Sequence, residues 1–185
     1  KRLTDTQESL EEVFDPSETE TSFRGSEERL SDLSKRLEDL KTAEAQGYSQ
    51  LIQIKTALQQ ETDLLEKNLN PVTVSLRKIS DLSRMWSEEK KQWSHWQASP
   101  NEDLQIPAVQ STFARARKTI SKARTAISQH LEPLLAAATR GGDLKARTYS
   151  LVVEVNDLIA AKREGVSTEL SPPMFSSRYF AQFSL

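Results

Sequence analysis

The sequence predicts an all-α fold, an elongated antiparallel coiled coil or helical bundle of long helices, and three observations carry that expectation. Apolar residues recur at alternating steps of three and four along most of the chain, the period of one helical face. Only five glycines and seven prolines punctuate 185 residues, whereas an all-β chain needs a turn about every 8 to 12 residues. A hydrophobic content of 36% beside 28% charge falls below the apolar share of a compact domain and suits helices with narrow buried seams.

At the N-terminus, "LTDTQESLEEVF" places Leu3, Leu10, Val13 and Phe14 at helical spacing, and Pro16 and Gly25 in "DPSETETSFRG" stop it. Residues 1–24 therefore predict a short helix and an acidic linker. Ser26 then offers a cap for backbone donors, with Glu27 and Glu28 at the positive end of a new helix. This opens a coiled-coil domain over residues 25–170. One heptad frame runs through Leu30, Leu33, Leu37 and Leu40, then Leu51, Ile54, Leu58, Leu65, Val72, Ile79, Leu82, Trp86, Trp93 and Trp96. Its gaps at Glu44, Gly47, Glu61, Asn68, Ser75 and Glu89 argue against a clean parallel zipper and for an antiparallel hairpin or irregular bundle. Pro71 inside the frame, at about 3 kcal/mol for a helix interior, predicts a kink or helix–helix joint at "NLNPV".

All three tryptophans fall within "RMWSEEKKQWSHWQ". At about 100° per residue, Trp96 lies roughly 80° around the axis from Trp86, so Trp86, Trp93 and Trp96 share a stripe that extends the leucine seam as larger knobs. A packed interface near the end of a bundle is expected, with an aromatic docking surface as the alternative. Pro100 and Pro107 then break the helix. A second long helix follows through Val109, Phe113, Ala116, Ile120, Ala123, Ile127, Leu131 and Leu134, and "TRGGD" ends it, with Gly141 and Gly142 at the stop and Asp143 capping the next helix. That helix, from 144 to about 163, buries Leu144, Leu151, Val155, Leu158 and Ile159 before Gly165 and "SPP" close it. The tail, 171–185, gathers Phe175, Tyr179, Phe180 and Phe183. Such an aromatic patch must dock on its own bundle, on a second copy or at a membrane interface.

The totals exclude several chemistries. Net charge is −2 and cysteine is absent, so there is no disulfide, thiolate metal site or thiol nucleophile. No uncharged run approaches the roughly 20 residues that span a bilayer. There is no initiator Met and no signal-like apolar core at the start, which suggests a fragment of a longer chain. His95 and His130 lack the spacing partners of a metal pair or a nucleophile–base set. "RGG" lacks the lysine and preceding strand of a phosphate loop, and acid pairs such as Glu11–Glu12 and Glu88–Glu89 are ordinary solvated charge. The expectation is a non-catalytic protein without metal, cofactor or small-molecule substrate. Residues 1–32 are strongly acidic, whereas 104–131 contain no Asp or Glu and carry "RARKTISKAR". Arg115, Lys118 and Lys122 there form one helical stripe, joined by Arg117 and Arg124. Pairing with acids of the long N-terminal helix is expected of it. Lipid headgroups are the next reading and nucleic acid the last, since no aromatics interleave for base stacking.

The order of a charged, Gln-rich coiled coil, a Trp-bearing segment, a second helical hairpin and "ELSPPMFSSRYFAQFSL" resembles the extracytoplasmic N-terminal region of large bacterial mechanosensitive channels of the small-conductance family. The resemblance implies a periplasmic arm at the inner membrane, about 60 Å long if residues 26 to 69 form one helix. Such an arm couples subunits or envelope partners to membrane helices outside this chain and modulates gating. It carries over no functional residue. The rival expectation is a soluble, cytoplasmic coiled-coil scaffold that self-associates or binds a protein partner.

Overall fold

The structure, a computed structural model, describes residues 2–42, 47–98 and 106–170. It is an all-α helical bundle: α1 spans Arg2–Glu11, α2 Ser17–Thr42, α3 Tyr48–Ala98 and α4 Pro107–Leu170, and no strand occurs among the described residues.

The break between α1 and α2 has a local cause. The Val13 N–H donates to the Leu10 carbonyl at 3.1 Å as α1 ends. Asp15 Oδ1 then accepts from the Ser17 N–H at 3.0 Å, an N-cap directly ahead of Pro16, whose missing donor costs nothing in a first turn. The acidic linker expected up to residue 24 is helical from Ser17 onward, and α2 passes through Gly25. Thr19, Phe23 and Ser26 are buried in step with Leu30, Leu33, Leu37 and Leu40. Ser26 is thus a core residue and not a cap. The seam does begin earlier than its leucines, with Phe23 set between the polar Thr19 and Ser26.

α3 and α4 correct the expected joints in the same way. α3 runs unbroken through Pro71, because Leu65, Val72 and Ile79 on either side are fully buried on one row and outweigh one lost backbone bond. α4 has Pro107 at its first position and continues through Pro133, the "TRGGD" stretch and Gly165 to Leu170. No described glycine has positive φ. Leu134, Ala137, Gly141, Leu144, Thr148 and Leu151 are all buried, so the three–four spacing crosses the glycine pair without a change of phase.

Two compact units divide the chain. In the first, Lys1–Ser22 with Glu66–Gly142, α1 and the first turns of α2 lie antiparallel to α3. Leu10, Val72, Ile79, Trp86, Ile120, Ala123, Ile127 and Leu134 form its core. The Trp86 indole N–H donates to Thr6 Oγ1 at 3.0 Å, the Phe14 N–H to Ser75 Oγ at 3.3 Å, and Asn68 Nδ2 to Ser22 Oγ. Lys78 pairs with Glu12 at 2.7 Å, and its hydrogen bond and charge hold the Glu12 carboxyl below the usual range. Arg140 pairs with Glu20, so α4 runs parallel to α2.

In the second unit, Phe23–Leu65 with Asp143–Leu185, Phe23, Leu30, Leu37, Leu51, Ile54, Leu58, Leu65 and Val155 are the most enclosed apolar residues. Arg29 grips Glu61 with two donors, Nε to Oε2 at 2.7 Å and Nη2 to Oε1 at 3.0 Å. Burial pushes the Glu61 carboxyl up, but the hydrogen bonds from Arg29 and Ser26, with the Arg29 charge, outweigh it and hold the group below its ordinary 4.5. Lys41 bridges Glu38 and Glu154, and Arg163 donates to the Tyr48 hydroxyl at 3.1 Å. At the start of α3, a Cβ on buried Gly47 would lie 3.2 Å from Leu40 Cδ2, so glycine permits that close approach.

Continuity of α4 sets an expectation for Gly142, which is exposed and has no atom within 4 Å of an added Cβ. Gly142→Ala raises unfolding free energy by about 0.5–1 kcal/mol, the helix-interior difference between the two residues, as read by urea denaturation. A fall of similar size would indicate a left-handed helix stop at that position.

Candidate functional site

The seam of α3 changes character toward its C-terminus. Every seventh residue from Leu51 to Trp86 is buried, but Trp93 is only partly covered and Trp96 is 50% exposed. The tryptophan stripe is thus divided. Trp86 is locked beneath α1 by its bond to Thr6. Trp93 and Trp96 meet edge to face at 5.2 Å, and Trp93 meets Phe113 of α4 the same way at 5.5 Å, geometry favoured by the ring quadrupoles. Ile106, just ahead of α4, is 47% exposed. The aromatic step therefore stands where α3 and α4 have outrun α1.

Beside this step lies a groove of about 590 Å³ between the two helices. α3 contributes Ser83, Lys90, Trp93, Ser94 and Gln97, and α4 contributes a floor of Ile120, Ile127 and Leu131 flanked by Arg117, Arg124 and hydroxyls. None of the residues lining it is a carboxylate. Lys91 borders the adjoining cleft with Lys90 and Arg124. None of these four cations has an ion-pair partner among the described residues. α1 lies elsewhere: Asp5, Thr6 and Ser9 share their cleft with Leu82, Met85 and Gln92. The row Ser83, Lys90, Gln97 follows Leu82, Glu89, Trp96 by one residue, about 100° around the helix.

Arg115, Lys118 and Lys122 are exposed and have no ion-pair partner among the described residues, so the expected pairing with the N-terminal helix does not form. The direction of the helices explains this. α2 meets α4 with Glu20 at Arg140, and in a parallel pair Lys122 lies eighteen residues, about five turns, upstream of that point. His95 and His130 are exposed, and among the described residues no three potential metal ligands gather. Phe175, Tyr179, Phe180 and Phe183 lie outside the described residues.

No family model, curated protein or solved structure matches the chain. Among the described residues, no helix is long and apolar enough to cross a membrane. The site is therefore read from its own chemistry. Lys90 is the groove residue that the sequence reading omitted; its signal was its place one residue after the seam, opposite the acid-free stretch of α4.

The divided stripe yields a contrast between two tryptophans. Trp86→Phe loses a buried hydrogen bond and leaves Thr6 Oγ1 without its donor, costing about 1–2 kcal/mol, whereas Trp96→Phe costs less than about 0.5 kcal/mol because half of it already meets water. Paired urea titrations measure this. Equal losses would contradict the division.

Proposed function

We propose that the protein is a non-catalytic helical scaffold that binds a protein partner through the C-terminal turns of α3 and the N-terminal turns of α4. The observation that supports the reading is the uncovered end of the seam: Trp96 half exposed against Trp93, which in turn meets Phe113, beside a groove with an apolar floor and cationic walls. Tryptophan and arginine at a partly covered apolar surface are the residues that most often anchor protein interfaces. A periplasmic arm of a mechanosensitive channel is one setting for such a scaffold, and that setting draws on the aromatic tail outside the described residues.

A photo-reactive phenylalanine analogue at position 96, in the cells that express the protein, tests the reading. One discrete adduct with another protein is expected, absent when the probe sits at exposed Arg36 in the second unit. No adduct, or the same adducts from both positions, would refute it.

A further inference from the structure

The groove beside Trp93 combines three properties that together describe an occupant. Its floor is apolar: half-covered Trp93 and Leu131 line it beside Ile120 and Ile127, which lie one heptad apart and are themselves almost wholly covered. Its walls are cationic on both sides, Lys90 from α3 and Arg117 and Arg124 from α4. Its lining spans two heptads of α3, from Ser83 to Gln97, a length that matches four turns of a partner helix. Two antiparallel helices with an apolar trough between them offer the seat of a third.

The same stretch of α3 already carries a helix on its other flank. α1 is acidic and amphipathic: it buries Thr6 and Leu10, and Glu12 just beyond its end reaches Lys78. The groove repeats that chemistry with more positive charge and with no carboxylate in its lining. Lys90, Arg117 and Arg124, without ion-pair partners among the described residues and set around an apolar floor, favour a ligand that brings both carboxylates and an apolar stripe.

We infer that this groove is a docking site for an acidic amphipathic helix of a partner protein. The inference rests on the scaffold reading and specifies its partner. The helix lies along the trough with its apolar stripe on Trp93 and Leu131, above Ile120 and Ile127, and its Glu or Asp residues on the flanks meet Lys90, Arg117 and Arg124. A charged rim of this kind sets orientation and association rate, so binding weakens with salt.

The test uses the full chain and two labelled helical peptides, each about three heptads long, with one shared leucine stripe and either glutamates or lysines on the flanks. Fluorescence anisotropy is expected to show the acidic peptide binding at least about tenfold more tightly, with a blue shift of tryptophan emission that persists in Trp86→Phe. Arg117→Glu with Arg124→Glu reverses the preference. Lys35→Glu with Arg147→Glu, the same charge change on exposed residues of the second unit, leaves it intact. Circular dichroism confirms that both variants remain helical. Equal binding of the two peptides, or a preference unaffected by Arg117→Glu with Arg124→Glu, overturns the inference. So does self-association of the chain lost in that variant, which assigns the groove to a second copy. Phosphatidylserine vesicles that bind at the groove in place of the acidic peptide would also overturn it, assigning the cations to lipid. If position 96 still yields its adduct in cells while the acidic peptide fails, the scaffold reading stands and the partner's chemistry is different; loss of both results removes the two together.

Discussion

Polar residues placed in the apolar seam of α3 are the constraint on which the rest of this architecture depends. A heptad seam is nearly degenerate: sliding one helix by seven residues past another returns leucine to leucine at little cost in buried area. Glu61, Asn68 and Ser75 remove that degeneracy because each is satisfied at one alignment. Glu61 takes the two donors of Arg29 and a hydrogen bond from Ser26, Asn68 meets Ser22, and Ser75 accepts from the Phe14 N–H. Seven residues separate Arg29 from Ser22, as seven separate Glu61 from Asn68. A slip would strand buried polar groups, each at about 1–3 kcal/mol. The net stability gained from such pairs is small, since an apolar replacement of similar volume is often neutral or better. Their contribution is to select one alignment among several that the hydrophobic effect alone leaves equal.

That selection explains why the seam of α3 is covered as far as Trp86 and open beyond it. With Thr6 fixed against Trp86, α1 covers α3 up to that indole, and among the described residues the seam beyond it meets α4. Trp93 and Trp96 are large side chains past the reach of α1, so they meet each other edge to face, and Trp93 meets Phe113 the same way. The cations of α4 upstream of residue 131 lie beyond the reach of the acids of α2, which meet α4 at Arg140. An aromatic step, an apolar trough and positive charge unneutralised among the described residues thus arise together from one alignment.

The helical class and the buried row from Leu30 to Trp86 were legible in the sequence because leucine and isoleucine at three–four spacing identify a buried face directly. The helix boundaries were not, and every departure has the same origin. Gly25 and the pair Gly141–Gly142 read as helix stops and Pro71 as a kink or helix–helix joint, whereas the phase of the seam runs unchanged across each. One or two residues that cost about 1–3 kcal/mol locally do not outweigh the burial of a face on both sides. The phase was concealed at two of these points because polar or small residues interrupt the seam there: Thr19 and Ser26 on either side of Phe23, and Gly141 between Ala137 and Leu144. The residues read as gaps in the frame at Glu61, Asn68 and Ser75 are those that fix the alignment. Of the site, the tryptophans and Arg115, Lys118 and Lys122 stood out, but their environment depends on where α1 begins to cover α3. Spacing along one helix does not carry that information. Lys90 was hidden for the same reason, being an ordinary surface lysine until α4 faces it.

Crosslinking at Glu12→Cys tests the alignment claim most directly, in a chain that has no cysteine of its own. A short bismaleimide is offered a second thiol at Lys78→Cys or, one heptad further along the same row, at Met85→Cys, and the yields are compared in the native background and in one carrying Glu61→Leu, Asn68→Leu and Ser75→Leu. Crosslinking is expected to be confined to position 78 in the native background, with a comparable share at position 85 once the three polar residues are gone and stability unchanged or higher. Crosslinking confined to position 78 in both backgrounds would show that apolar packing alone sets the alignment.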